Sequence, residues 1–310
     1  MKTELTTTLL TRFDRLAGRR STWETHWQEV ADYMLPRKAD IVRRRSRGDK
    51  RMERIFDSSP LQALELLASS LHGMMTNPAT PWFTLRFKKL EDSNDDEAKL
   101  WLEEATEVMY TAFNRSNFQQ EIFELYHDLI TFGTAAMFVE EDEQDLIKFS
   151  TRHIDEVYVA ENQKGRIDTI FRRFHMTARA LVQKFGNNVS QDIRTMSQKN
   201  PYQEVDIIHA VYPRNEFNPK KKDKANMPFE SVYFEYKGGN ELSLSGFKEF
   251  PFVVPRYLKA SNEVYGRSPA MTALPDVKML NEMCKVTIKA AQKQVDPPLL
   301  VPDDGFLLPV

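Results

Sequence analysis

Along the first 35 positions apolar residues recur at three- and four-residue steps: Leu9, Phe13, Leu16, Trp23, Trp27, Val30 and Met34. That spacing predicts helix with one buried face. A break near Gly18 divides it in two, Ser21 or Thr22 caps the second helix, and Pro36 ends it. Trp23 and Trp27 stand one turn apart and read as core anchors rather than base-stacking platforms. Leu61, Leu64, Leu67, Ala68 and Leu71 mark a further helix, opened at Asp57 or Ser58 with Pro60 in its first turn and closed between Gly73 and Pro78. The alternation of Phe83, Leu85 and Phe87 predicts a strand. An acidic linker, Glu91 to Glu97, leads into a helix through Trp101, Val108, Met109 and Phe113. Beyond Ser116 and Asn117 another carries Phe118, Ile122, Leu125, Leu129 and Phe132 to Gly133. These two are expected to pack as an antiparallel hairpin.

Past Thr134 the period drops to that of strands. Segments 136–139 and 146–149 flank the acidic turn EEDEQD, and 157–160 and 167–174 follow with a break at Gly165. Thr177 caps a helix over 178–185 that stops at Gly186, and the polar stretch 187–200 reads as a short helix and loop. A strand over 205–212 precedes a lysine-rich loop tip at 219–224. Segments 231–236 and 242–244 then face each other across Gly238, Gly239 and Asn240, a strong hairpin signal. PFVVPRY from Pro251 completes the sheet. Helical layers with a mostly antiparallel β-rich region make the fold class α+β.

The last periodic stretch lies between two proline clusters. Pro275 suits a helix's first turn and Asp276 its positive end, while Pro297 and Pro298 stop it after about 20 residues, roughly 30 Å. Val277, Leu280, Cys284, Ile288, Ala291 and Val295 form an apolar stripe, and Lys278, Lys285, Lys289 and Lys293 fall on another side. An ordinary amphipathic helix with a solvated lysine face gives the same pattern.

Composition narrows the chemistry. The 310 residues carry a net charge of −2, which argues against a dedicated nucleic-acid binder, so any contact with DNA is local. Arg37 to Arg54 is the most basic segment, with Lys38, Arg43, Arg44, Arg45, Arg47, Lys50 and Arg51 between them. It reads as a mobile loop, either a nucleic-acid patch or solvated surface. The single cysteine, Cys284, cannot form an intrachain disulfide and fits a small buried residue in a reducing compartment. No signal peptide opens the chain and no apolar run is long enough to cross a bilayer, which points to a cytosolic, non-membrane product. His72 reads as a packing or hydrogen-bonding histidine, Glu124, His127 and Asp128 as a surface ion network, and Glu140 to Glu143 as a solvated turn. There is no G-x-x-x-x-G-K-[ST], G-x-S-x-G, H-E-x-x-H or paired C-x-x-C, hence no expected cofactor, metal or catalytic constellation.

GRSPAM, LPDVKMLNEM, AAQK and VDPPLLVPDDG, together with SSLHGMMTNPATPWFTL upstream, closely resemble the portal (head-to-tail connector) proteins of short-tailed, T7-like bacteriophages. The resemblance implies a wing divided into a mainly helical part (1–135) and a β-rich part (136–262), a stem helix region (263–296) and the start of a clip (297–310). It also implies a non-enzymatic homo-oligomeric ring, usually of twelve subunits, in the portal vertex of the virion. Such a ring carries double-stranded DNA during packaging and ejection without reading its sequence, and docks terminase, capsid, scaffold and tail adaptor proteins. In that setting Lys278, Lys285, Lys289, Lys293, Arg43, Arg44 and Arg45 are candidate DNA contacts. Val277, Leu280, Cys284, Ile288, Ala291 and Val295 are candidate subunit contacts, and the basic loop could instead meet acidic surface on a neighbour. Related portals continue past this point with more clip, a second stem helix and a crown, so a truncated product is expected. The competing readings are a metal-dependent nuclease or terminase-like enzyme built on the scattered carboxylates, and a monomeric nucleic-acid-binding adaptor using the Arg37 to Arg54 loop.

Overall fold

The computed structural model describes residues 3–43, 48–87, 96–218, 221 and 223–297. A capping box between Thr3 and Thr6 starts α1 (Glu4–Met34), one unbroken helix of 31 residues and about 46 Å rather than the expected pair. Gly18 lies inside it. A glycine there costs about 1 kcal/mol relative to alanine, and packing at both ends of the helix outweighs that. Leu9 and Phe13 at one end lie against Tyr158, Phe171, Ile208, Val232 and Phe234 of a sheet. At the other end Trp27, Val30, Ala31 and Met34 enter the main core.

That core is helical on one side. It contains α2 (Ser59–Met75), α4 (Phe118–Phe132) and the root of α7 (Pro269–Val295). Ser58 stands at the N-cap of α2, and Gly133, left-handed at φ 74°, ends α4 as its sequence position implies. Between them α3 (Asp96–Arg115) has no buried residue. It meets α4 only at its end, where Phe113 lies 4.7 Å from Phe118, so the expected side-by-side hairpin is replaced by α2 packing on α4. The segment 83–87 is not a strand. It runs extended along α3, whose Tyr110 hydroxyl accepts from Phe83 N (2.6 Å) and donates to Phe83 O (2.8 Å), while Thr106 Oγ1 accepts from Leu85 N (3.3 Å). Helix side chains there take the place of a neighbouring strand.

Two antiparallel sheets follow instead of one. The smaller has order β2-β1-β8, from β1 (Ala136–Asp142), β2 (Leu146–Arg152) and β8 (Phe252–Val253). PFVV therefore joins β1 and does not close the larger sheet. That sheet runs in sequence order through β3 (Val157–Glu161), β4 (Ile167–Thr177), β5 (Glu204–Pro213), β6 (Phe229–Glu235) and β7 (Glu241–Phe247). Its turn at Gly238 and Gly239 has positive φ at both, as a tight hairpin requires. Alternation along β5 decides what covers each face. Ile208, Ala210 and Tyr212 face α1, whereas Ile207 faces α5 (Ala178–Phe185) and α6 (Gln191–Lys199), with Leu181 and Ile193. Thr177 caps α5 by accepting from Ala180 N, as expected.

His209 sits fully buried on β5, 2.9 Å from Ser231 Oγ and stacked 3.9 Å from the Tyr233 ring. Burial, reinforced by the nearby Arg172 charge, pushes its pKa well below the usual imidazole value. The folded protein keeps His209 neutral, the unfolded chain protonates it near pH 6.5, and stability is lost as pH falls below that value. Urea unfolding at pH 6.5 and pH 5 is expected to show a loss of about 1.4 kcal/mol per pH unit from this residue. His209→Gln, which keeps a donor for Ser231, removes that increment; an unchanged slope in the variant contradicts the assignment.

Candidate functional site

The helix α7 begins where two backbone segments touch. A Cβ on Gly133 would lie 2.3 Å from Gly266 O, and one on Gly266 would lie 2.3 Å from Gly133 O. Only glycines permit this approach, and Gly133 also needs its positive φ. The crossing is stitched by Tyr257 N donating to Gly133 O (2.9 Å) and Gly266 N donating to Thr134 Oγ1 (2.7 Å). Directly after it, Ser268 caps α7, accepting from Met271 N (3.0 Å) and donating to Thr131 O (2.9 Å) at the end of α4. Pro269 occupies the first turn, and Ala270, Met271 and Leu274 are buried in the main core. Gly266, Ser268, Pro269, Ala270 and Met271 of GRSPAM thereby each have a mechanical reason. Tyr265, just before it, is buried against Trp27 (5.1 Å), and burial pushes its phenol up to about 12 while its oxygen accepts from Val159 N.

The helix is longer than the prolines suggest. It starts at Pro269, and Pro275 falls inside its 27 residues instead of at the first turn, because Ser268 and Pro269 already supply a complete N-terminal signal. Pro275 lies beside the last buried turn. Beyond Leu274 the helix leaves the core, with Val277 half-buried and Asn281 the one buried residue of the shaft.

Asn281 was not singled out by its sequence. Its Oδ1 accepts from Phe56 N (2.7 Å) and Asp57 N (3.3 Å), and its Nδ2 donates to Arg54 O (3.0 Å). It binds the backbone of the segment leading into α2, and that segment lies against the shaft as a strap. A lone asparagine within an amphipathic pattern reads as surface, and only the incoming backbone distinguishes it.

Past this clamp the predicted stripe is not covered by the described residues. Cys284 is half-exposed rather than buried, Leu280, Ile288 and Ala291 are exposed, and Val295 is 87% exposed. Leu280 and Ile288 are joined by the exposed Met279, Met283 and Val286. On the adjoining face Lys278 pairs with Glu29 (2.5 Å) on α1, and Lys285 pairs with Glu282 (2.9 Å). Lys289 and Lys293 are exposed and make no ion pair among the described residues. The four lysines share one side of the rod over about 22 Å of rise, about 100° or more from the centre of the apolar stripe.

The basic segment is only partly available. Arg51 pairs with Asp40 and donates to Arg37 O (2.6 Å), Arg37 pairs with Glu124 (3.0 Å), and Lys38 bridges Glu124 (2.7 Å) and Asp128 (2.5 Å). Arg43 is exposed, its backbone N–H donating to Gln28, whereas Arg44, Arg45 and Arg47 lie outside the described residues. The Glu124, His127 and Asp128 group is thus an ion network, but not a surface one, since His127 and Asp128 are buried. Burial raises the Asp128 carboxyl against the pull of Lys38, and burial together with Arg37 lowers His127, which meets Glu65 at 2.9 Å. Burial also opposes ionisation of Glu124, but Lys38 and Arg37 outweigh it and hold that carboxyl below its usual range. His72 bonds Thr76 and packs on Phe123, and Asp142 closes its turn by accepting from Gln144 N and Asp145 N. Among the described residues no group of three or more His, Cys, Asp or Glu side chains is placed to hold a metal ion, and no helix is long and apolar enough to cross a membrane.

The sequence model described as bacteriophage head to tail connecting protein matches residues 6–309. Over 300 residues the chain is 34% identical to the probable portal protein of Bordetella phage BPP-1 and 35% identical to the portal protein of Salmonella phage epsilon15. Each alignment takes in 95% of this chain and 54% of the relative, so the chain spans about half the length of the curated relatives it matches.

Two substitutions test the root and the clamp. Gly133→Ala combines a forbidden φ with a backbone clash and is expected to lower unfolding free energy by about 3 kcal/mol or more. Asn281→Ala leaves Phe56 N and Asp57 N without their acceptor and should cost about 1–3 kcal/mol, with faster amide exchange at residues 54–57. A melt like wild type for either variant removes that contact from the account.

Proposed function

The chain belongs to the bacteriophage head-to-tail connecting protein family, and from that premise we propose that it is a subunit of a portal ring, of about twelve copies, around a channel for double-stranded DNA. The observation that carries the reading is α7 itself, a rod rooted deep in the fold whose far half offers an apolar face and a lysine face that the described residues leave uncovered. A face of that kind is stable in water only when something packs on it. Neighbouring stems supply such a surface if the rods stand side by side, with Val277, Leu280, Cys284, Ile288, Ala291 and Val295 between subunits.

In this arrangement Lys278, Lys285, Lys289 and Lys293 give the channel wall a spaced positive charge. Phosphate contact of this sort is independent of sequence, and DNA passing in either direction requires contacts too weak to arrest it. Lys278 and Lys285 are already partnered by Glu29 and Glu282, so Lys289 and Lys293 carry the larger share. No reaction is assigned to the chain. Its place is the portal vertex of the virion, reached by assembly in the host cytoplasm, where capsid and scaffold proteins, terminase and tail adaptors dock on it.

Electron microscopy of the full gene product is expected to show annular particles with a central hole, and a particle that stays monomeric at every concentration ends the proposal. Replacing all four lysines with glutamine should leave rings intact while lowering the yield of packaged DNA by about tenfold, the size of effect that loss of a few phosphate contacts has on binding. Normal packaging by that variant removes the lysines from the mechanism.

A further inference from the structure

α3 is a 20-residue helix with nothing buried, yet it is not a polar helix. Its inner side covers the extended segment 83–87 through Thr106 and Tyr110. Its outer side carries Trp101, 63% exposed, and Val108, 69% exposed, on one row with Glu104 between them and Leu100 beside it. A tryptophan so exposed is uncommon on a solvated helix and frequent at the centre of protein interfaces. The helix as a whole has five acids, Asp96, Glu97, Glu103, Glu104 and Glu107, against two bases, Lys99 and Arg115.

A surface of matching character exists elsewhere on the same chain. The strap held by Asn281 exposes Met52 (52%) and Phe56 (41%), with Lys50 and Arg54 exposed beside them, Asp49 and Glu53 exposed among them, and Arg43 and Val42 nearby. The two surfaces do not meet within one chain. The strap leads into the first residue of α2, whereas 81–87 and α3 follow its last. α2 is about 25 Å long and runs antiparallel to α4, Glu65 bonding His127 at one level and His72 packing on Phe123 at the next. The acidic apolar surface lies beyond one end of this helix pair, where Trp82 stacks on Phe118, and the strap's apolar surface, with Lys50 and Arg54, lies at the other, beside α7.

We propose that the outer face of α3 in one copy packs on the strap of a second copy, Trp101 and Val108 against Met52 and Phe56, with Glu104 facing Lys50 and Arg54. Complementary patches at opposite ends of a subunit make a head-to-tail contact, which repeats around a ring when its rotation closes. The proposal rests on the ring reading and adds the peripheral contact that sets the order of subunits outside the stem. It also gives the strap's position a use, since Asn281 fixes the receiving surface to the same shaft that lines up in the ring.

The test uses the full gene product and three variants at exposed positions, Glu104→Lys, Arg54→Glu and the double, with thermal unfolding as a check that each folds. Assembly is read by sedimentation across a dilution series at low and moderate salt. Each single change is expected to raise the half-assembly concentration about tenfold, the equivalent of one close charge pair, and the double to recover to near wild type. Trp101→Ala should weaken assembly at both salt concentrations, because its contribution is not screened. Wild-type rings with both single variants assembling normally overturn this contact and leave the ring reading standing; singles that fail without rescue in the double also overturn it. A wild-type protein that never assembles ends both.

Discussion

The contact between Gly133 and Gly266 is the constraint from which the placement of α7 follows. Two backbones at this separation exclude every side chain, so the end of α4 and the approach to α7 are held at one fixed distance. Ser268 then uses one hydroxyl twice, donating to Thr131 O of α4 and accepting from Met271 N of α7. The direction in which α7 leaves the body is therefore set by backbone hydrogen bonds and steric exclusion, which tolerate much less variation than a purely apolar seat.

A second buried joint ties that root to the sheet. Arg20, midway along α1, is fully buried and donates to the carbonyls of Ile154 (2.9 Å), Val157 (2.6 Å) and Asp155 (2.9 Å), with Glu24 as its counterion and the Tyr158 ring 3.6 Å away. Burial of a guanidinium is tolerable only with such complete pairing. Two turns further on, the indole of Trp27 donates to Phe132 O, one residue before the glycine crossing, and its ring meets Tyr265. A single helix thus links the five-stranded sheet, the end of α4 and the approach to α7, which makes the sheet and the root of α7 one mechanical unit.

Periodicity and capping residues made most helices and strands legible, because those signals are local. Thr177, Gly186, Gly133 and the Gly238–Gly239 turn all act within four residues of themselves. What escaped the sequence depended on distant partners. Gly18 looked like a break and is carried through by packing at both ends of α1; residues 83–87 alternate like a strand and find their partners on a helix; Pro275 looked like a start because the true one, at Ser268, lies only a few residues upstream. The stripe and the lysine face were legible as a pattern, but a pattern does not say which part of it the fold itself covers. Asn281 and the buried Lys38–Asp128 pair were invisible for the same reason, since each is defined by residues dozens to hundreds of positions away.

Pro275 gives α7 one further property. With no N–H to offer, it leaves the carbonyl of Met271 without its helical partner, at the turn where the rod passes from the packed core into the open. A helix relieved of one rung bends most easily there. Sideways load on the shaft is then spent as a small local swing at that turn before it reaches the glycine crossing, whose register it leaves untouched.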